Sequence, residues 1–194
     1  MLNHQGTQRL ETPRLVLRQF TPADAPAMFN GWANDPEVTR YLSWPPHREL
    51  SVTRELLLQW EKAYENPEEY NWCIELRETG QPIGSAGLPD VNSQLEYASL
   101  GYVLARPYWR RGLAAEAAAA IVEYSFHVVG FHRLAAVHVV ENKASGAVMR
   151  KLGMQYEGRV REAYRNGQGQ YVDTEQYAIL RREWAGPRRL YAVE

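Results

Sequence analysis

Apolar and polar residues alternate along several short segments of the chain, and this period of two predicts β-strands. The predicted strands cover residues 14–20, 70–77, 82–88, 95–105, 133–140, 156–165 and 171–180. Asn166 and Gly167 lie between the last two segments, where an Asn-Gly pair is typical of a hairpin turn. The final two strands are therefore predicted to form an antiparallel hairpin.

Other segments repeat apolar residues every three or four positions, which predicts helices at residues 21–32, 51–64, 114–128 and 144–152. Thr21 is expected to cap the first helix, and Gly153 to end the last. In the alanine-rich third helix we expect Ala117 and Ile121 on the buried stripe and Glu116 on the polar side. The order of elements predicts an α/β protein, a mixed sheet with helices on both faces.

Composition narrows the class of protein. The 194 residues are 45% apolar and 23% charged with a net charge of −1, as expected for one globular domain over residues 1–194 with a core at about 9–182. Without a basic run, nucleic acid binding is not expected. No apolar stretch is long enough for a membrane span and the start does not read as a signal peptide, which predicts a cytoplasmic protein. Cys73 is the only cysteine, so neither a disulfide nor a metal site is expected.

The most informative segment joins the strand at 95–105 to the helix at 114–128. Its residues are Trp109, Arg110, Arg111, Gly112, Leu113, Ala114 and Ala115. The first turn of a helix has unpaired N–H groups and partial positive charge, and a glycine lets a ligand approach the backbone, so the segment predicts a pyrophosphate site. The alternative is a glycine in an ordinary loop before a surface helix. The nucleotide motifs GxxxxGK[ST] and GxGxxG are absent, which disfavours nucleoside triphosphates and nicotinamide cofactors.

A second segment makes the interpretation specific. Asn142, Ser145, Lys151-Leu152-Gly153-Met154 and Glu157-Gly158 follow the glycine turn at a spacing of about thirty residues. Together the two segments resemble the GNAT superfamily of acetyl-coenzyme A-dependent N-acetyltransferases. The segments 12–18 and 35–38, the Asn166-Gly167 turn and Asp173 are similar to the branch of bacterial ribosomal-protein N-terminal alanine and serine acetyltransferases.

The resemblance implies the GNAT fold, in which a mostly antiparallel central sheet has helices on both faces and a splay between strands four and five, here 95–105 and 133–140. It implies acetyl-CoA as cosubstrate, with its pantetheine arm paired to the backbone of Val103, Leu104 and Ala105. Asn142 and Ser145 match motif positions beside the pantetheine and sulfur, and Ser145 is expected to protonate the departing thiolate. The alternative is that Asn142 caps the following helix and Ser145 bonds only locally.

The acceptor side is less defined. The position that holds a catalytic glutamate in one group of ribosomal-protein acetyltransferases is Tyr164 here, which leaves the general base open. The candidates are Glu162, Glu96, Glu141 and His138, each of which has an ordinary surface or core role as its alternative. In similar proteins the loop between the first two helices lines the acceptor mouth, so Tyr41, Trp44 and His47 are candidate acceptor contacts, or packing for the helix pair.

These residues predict an N-acetyltransferase that acts on a primary amine, with a protein or peptide N-terminus as the preferred acceptor. A small amine such as an aminoglycoside, a polyamine or an amino acid is the alternative acceptor. A non-catalytic coenzyme A-binding module on the same fold is the alternative of a different class. Either a monomer or a homodimer is compatible with the sequence.

Overall fold

The computed structural model describes residues 1–187, which form two β-sheets with helices packed on them. The strands are β1 (Leu10–Glu11), β2 (Leu15–Arg18), β3 (Asn71–Leu76), β4 (Gln81–Gly87), β5 (Tyr97–Ser99), β6 (Gly101–Leu104), β7 (Arg133–Val139), β8 (Gln155–Arg165) and β9 (Tyr171–Leu180). One sheet has the order β1-β2-β3-β4-β6, with every neighbouring pair antiparallel. The other has the order β5-β7-β9-β8, in which only β5 and β7 are parallel. The mixed α/β fold predicted from the sequence is confirmed.

The helices lie mostly where periodicity placed them. They are α1 (Ala25–Met28), α2 (Pro36–Thr39), α3 (Leu50–Ala63), α4 (Leu113–Tyr124) and α5 (Lys143–Lys151). The helix predicted at 21–32 is a composite, in which a 3-10 turn at Pro22–Asp24 leads into α1 and a π turn at Phe29–Ala33 follows it. The helix predicted at 114–128 similarly ends in a π turn at Ser125–Val129, where the Ser125 hydroxyl donates to the Ile121 carbonyl. No helix in the described part of the chain is long and apolar enough to cross a bilayer.

The predicted strand at 95–105 is divided between the two sheets, so its description as one strand is wrong. Its first part, β5, pairs with β7 over Tyr97–Ser99, and its second part, β6, pairs with β4. Leu100 lies at the division, and its N–H donates to the carbonyl of Ala135 at 2.7 Å. Beyond this bond the two sheets separate, which creates the splay expected between residues 95–105 and 133–140.

Helix α4 packs against the first sheet through strands β1, β2, β4 and β6. Its alanines are buried, and their small side chains let the helix lie close to the strands. The prediction that Glu116 lies on a polar side of this helix is wrong, because its side chain is 1% exposed. Helical periodicity failed here because the segment between β1 and β2 covers Glu116 and supplies, from Thr12 and Arg14, the polar partners that a buried carboxylate requires.

Candidate active site

The turn before α4 has the backbone geometry of an anion site. Gly112 is the N-cap of α4 with φ +74°, a left-handed conformation that a β-branched residue would adopt only with strain. The first bond of the helix runs from the Glu116 N–H to the Gly112 carbonyl at 3.1 Å. The N–H groups of Leu113, Ala114 and Ala115 therefore have no partner within the helix. The Trp109 indole N–H donates to the Leu104 carbonyl at 2.7 Å, which anchors the turn to β6.

Cationic side chains surround this turn. Arg110 and Arg111 are exposed at its tip. An added Cβ at Gly112 would lie 3.6 Å from Arg14 Nη2 and 3.9 Å from Lys151 Nζ. Neither Arg14 nor Lys151 was singled out as a site residue from the sequence, since each belongs to an element remote from the turn along the chain. The unpaired N–H groups at the start of α4 thus lie close to several cationic side chains.

A cavity of about 1000 Å³ lies on the splayed side of β6. It brings together residues from three segments of sequence that were predicted to act together, namely Tyr41, Trp44, His47, Val103, Asn142 and Ser145. Tyr102, Tyr164, Glu68, Glu69 and His138 also line it. The residues of the turn, Trp109 to Ala115, are not part of this lining, so the cavity and the turn are two separate parts of the candidate site.

Ser145 is held by a tyrosine that sequence reasoning missed. Tyr102 Oη lies 3.0 Å from both Ser145 Oγ and the Ser145 carbonyl oxygen. Burial raises the pKa of Tyr102 to about 12, so its O–H is protonated throughout the neutral range. Asn142 caps α5, where its Oδ1 accepts from the Ser145 N–H at 3.3 Å. The capping role considered for Asn142 is thus present, while the Ser145 hydroxyl has a partner on β6 rather than only a local one.

The backbone groups of β6 are not equally free to pair with a ligand. The Ala105 N–H donates to the Ile83 carbonyl at 2.9 Å, and the Leu104 carbonyl already accepts from Trp109. The Ala105 N–H is therefore already paired within the sheet, and the pairing of pantetheine with the backbone of residues 103–105 stays a prediction. Bonded and non-bonded positions alternate along an antiparallel pair, so the N–H groups of Tyr102 and Leu104 point away from β4 toward the splay.

Most of the candidate bases lie elsewhere. Among the described residues, the cavity lining does not include Glu96, Glu141 or Glu162. The Glu96 carboxylate lies 3.4 Å from the N-terminal amine of Met1, and Glu141 and Glu162 are exposed.

His138 lines the cavity but is a core residue. Its ring is 4% exposed, and Nδ1 lies 2.8 Å from the Val139 carbonyl oxygen. Nε2 lies 3.2 Å from Glu175 Oε2 but is not aligned for a hydrogen bond, and no other described residue pairs with it. The same nitrogen faces the backbone of α5, because a Cβ on Gly146 would lie 2.6 Å from it. His138 therefore supports α5 and does not present Nε2 to a ligand.

His47 is the other histidine that lines the cavity. Its Nδ1 lies 2.8 Å from Thr53 Oγ1, and its ring packs on Trp44 with centroids 5.3 Å apart. Burial lowers the pKa of His47, so the ring is neutral at pH 7. The sequence had suggested His47 as an acceptor contact, and its neutral imidazole could also take up a proton.

The acceptor-side loop is fixed by the last hairpin. The Gly167 N–H donates to the Leu42 carbonyl at 2.8 Å, so the Asn166-Gly167 turn rests against the loop that carries Tyr41 and Trp44. Tyr164 also lines the cavity, and burial raises its pKa. Burial likewise raises the pKa of Glu69. Residues 1–187 contain no cluster of three or more His, Cys, Asp or Glu side chains suited to a metal ion.

Comparisons with known proteins agree with this geometry. The family model described as an acetyltransferase (GNAT) domain matches residues 14–155. The chain is 35% identical over 173 residues to the uncharacterized N-acetyltransferase YoaA of Bacillus subtilis, and the aligned region covers 89% of this chain and 96% of YoaA. It is 26% identical over 136 residues to the spermidine N(1)-acetyltransferase of Escherichia coli, and the aligned region covers 70% of each chain. The ribosomal-protein-S5-alanine acetyltransferase of Vibrio fischeri shares the fold, with a TM-score of 0.79, 18% identity, and coverage of 91% of this chain and 98% of that one.

Proposed function

The chain belongs to the GNAT acetyltransferase family and is an N-acetyltransferase, and from that premise we propose that it transfers the acetyl group of acetyl-CoA to the α-amine of a peptide N-terminus. The observation that carries this proposal is the cavity in which the open edge of β6, the Ser145 hydroxyl and the acceptor-side loop meet. Members of the family generally use acetyl-CoA, and the residues present here fit that cosubstrate.

The fit has two parts. The unpaired N–H groups of Leu113, Ala114 and Ala115, together with the cations around Gly112, suit the two negative charges of a pyrophosphate. The N–H groups of Tyr102 and Leu104 suit the amide and thioester oxygens of an extended arm that enters the splay. A single ligand that carries a pyrophosphate at one end and a thioester at the other would use both parts of the site.

Acetyl transfer forms an N–C bond, breaks the C–S bond, and moves one proton from the amine and one to the sulfur. We assign the second proton transfer to Ser145, whose hydroxyl receives a hydrogen bond from Tyr102 in one of its two possible directions. When Tyr102 donates to Ser145, the Ser145 proton is free to point at the thiolate. The Tyr102 O–H then stabilises the Ser145 oxygen as that oxygen gives up its proton. We assign the amine proton to His47, which lines the cavity, and the cycle closes when His47 releases this proton to solvent and Ser145 regains one from solvent.

Two features favour an α-amine as the acceptor. An α-amine has a pKa near 8 against about 10.4 for lysine, so it is more readily neutral in a site whose histidine has a lowered pKa. The aromatic side chains of Tyr41, Trp44 and Tyr164 suit a short peptide end, and the loop that carries the first two is held by the hairpin.

Spermidine or another polyamine is the second candidate. The observation that favours it is the pair of neighbouring carboxylates, Glu68 and Glu69, on the cavity wall, along with the similarity to a spermidine acetyltransferase. Burial raises the pKa of Glu69 and so disfavours the ionised carboxylate that would attract a polycation, which weakens this candidate.

A thiol-release assay decides between these acceptors. The panel comprises an alanine- or serine-starting peptide, the same peptide blocked at its N-terminus but carrying lysine, spermidine, an aminoglycoside and a free amino acid, at equal concentration. We expect the free N-terminal peptide to react fastest. A faster reaction with the blocked peptide or with either polycation would overturn the choice of acceptor, and acetyl-CoA binding without thiol release for any amine would favour the non-catalytic alternative.

A further inference from the structure

The first turn of α4 contains a buried carboxylate directly beneath the turn that we assign to the pyrophosphate. Glu116 is 1% exposed, four residues after Gly112. A buried negative charge next to an anion site would repel the ligand unless other groups neutralise it. The partners of Glu116 therefore bear directly on how the turn works.

The carboxylate is paired with two residues of the segment between β1 and β2. Glu116 Oε1 accepts from Thr12 Oγ1 at 2.6 Å and from the backbone N–H of Arg14 at 2.9 Å. Glu116 Oε2 accepts from Arg14 Nε and Nη2, each at 2.6 Å. These two bonds from neighbouring guanidinium nitrogens fix the orientation of the planar Arg14 side chain, which a lysine could not achieve.

Arg14 connects this carboxylate to the turn itself. Its remaining nitrogen, Nη1, donates to the Arg111 carbonyl oxygen at 3.0 Å. Because a peptide group is planar and trans, holding the Arg111 carbonyl toward Arg14 directs the Gly112 N–H the opposite way. It also turns the carbonyl oxygen toward a cation, so that this partial negative charge does not face a phosphate. The Arg14 side chain remains 38% exposed, so its charge still acts at the surface of the turn.

We propose that Glu116 and Arg14 are positioning residues for the pyrophosphate, which rests on the proposed binding of acetyl-CoA at this turn. Glu116 orients Arg14, and Arg14 fixes the Arg111–Gly112 peptide in the direction that presents backbone N–H groups to the ligand. The net charge of the pair is zero, so it shapes the turn without cancelling the cations at its rim. The two residues should matter for a substrate that has a pyrophosphate and not for one that lacks it.

The test compares acetyl-CoA with acetyl-pantetheine, which has the same thioester but no pyrophosphate. We expect Glu116→Gln and Arg14→Lys each to lower kcat/KM for acetyl-CoA about 10- to 100-fold, mainly through KM, as expected for the loss of one charge-assisted hydrogen bond. For acetyl-pantetheine, kcat/KM should stay within about twofold of the wild type. Two variants are used so that the comparison remains available if one of them fails to fold.

Asp24→Asn is the matched control. The Asp24 carboxylate accepts hydrogen bonds from both terminal nitrogens of Arg18, each at 2.9 Å, in another partly buried ion pair. Neither side chain of this pair lines the cavity. Loss of this ion pair should lower thermal stability without changing the ratio of the kcat/KM values for the two substrates.

Equal losses with both substrates in the Glu116 and Arg14 variants would mean that the pair only stabilises the fold. Unchanged kinetics would mean that the pair has no role, and either result overturns the proposal. A wild-type enzyme that uses both substrates equally well would instead show that the turn does not bind pyrophosphate, which is a failure of the proposed function.

Discussion

At the scale of single residues, the candidate chemistry depends on a hydroxyl pair, Ser145 and Tyr102. A serine hydroxyl is a weak acid, so a proton transfer from it needs help from a neighbouring donor. The Tyr102 Oη at 3.0 Å from Ser145 Oγ can give that help, and burial raises the pKa of Tyr102 to about 12, so its proton stays in place in the neutral range. A hydrogen bond of this kind contributes in the transition state, where charge builds up on the serine oxygen.

Tyr102→Phe removes the phenolic O–H and keeps the ring, so we expect kcat to fall about tenfold while KM for acetyl-CoA changes little. Ser145→Ala should cost about 10- to 1000-fold in kcat, and the double variant should be no slower than Ser145→Ala alone, because Tyr102 acts through that serine. The pH dependence of kcat between pH 6 and 10 should keep its shape in Tyr102→Phe, since Tyr102 does not ionise in that range. Additive losses in the double variant would contradict this coupling.

The sequence identified the residues of this site that belong to local motifs and missed those that depend on contacts between distant segments. Gly112 was a candidate because it lies between a strand and a helix, and Asn142 and Ser145 were candidates because they match motif positions of the family that the sequence resembles; all three lie at the start of a helix. Tyr102 lies 43 residues from Ser145, and Glu116 lies 102 residues from Arg14. Periodicity describes one helix at a time and contains no information about which strand will cover it, so Glu116 was predicted to be solvated.

At the scale of elements, α5 is positioned by its close approach to β7. Gly146 and His138 form the contact, and only a glycine fits there because a Cβ would lie 2.6 Å from His138 Nε2 and 3.1 Å from Cε1. The imidazole cannot move aside easily, since its Nδ1 is bonded to the Val139 carbonyl and it stacks on Tyr177. The position of Ser145, the residue just before Gly146 in the helix, therefore depends on this contact.

Gly146→Ala would normally favour a helix by up to about 1 kcal/mol. Here we expect a net loss of about 1–3 kcal/mol in the free energy of unfolding, because overpacking against the buried ring exceeds the gain in propensity. The activity should also fall, since α5 must move away from β7. Urea unfolding and kcat measure the two effects.

The exposed Ala144 of the same helix supplies the control, because Ala144→Gly changes helix propensity without touching His138. His138→Ala combined with Gly146→Ala should recover part of the stability lost in Gly146→Ala, since the double variant removes the obstructing ring. A Gly146→Ala protein as stable as the wild type would disprove the steric role of this contact.

Elements also differ in how far the sequence predicts them. Long periodic segments such as α3, β8 and β9 were predicted to within a residue or so, because many positions support each one. The two-residue strand β1 and the four-residue helix α2 were missed, since they are too short to show a period. The segment 95–105 has an uninterrupted strand pattern, and its division at Leu100 is decided by pairing with β4 and β7 rather than by its own residues.

At the scale of the whole molecule, the two sheets meet along a short seam and then separate. The seam comprises the pairing of β5 with β7 and the bond from Leu100 to Ala135. The turn before α4 and the open edge of β6 belong to one side of the splay, while β7 and α5 belong to the other. A thioester in the splay would add contacts between β6 on one side and β7 and α5 on the other, so binding should stabilise the fold.

Binding of acetyl-CoA should therefore raise the melting temperature. At a concentration one hundred times Kd, a ligand that binds only the native state adds about 2.7 kcal/mol, which corresponds to about 5–10 °C for a protein of this length. Differential scanning fluorimetry with increasing acetyl-CoA measures the shift in melting temperature, and acetyl-pantetheine at the same concentrations should give a much smaller shift.

Gly112→Val provides the control, because a β-branched residue at φ +74° distorts the turn. This variant should show a smaller shift on adding acetyl-CoA, whatever its melting temperature without ligand. Equal shifts from the two thioesters, or an undiminished shift in Gly112→Val, would show that the turn does not contribute to binding.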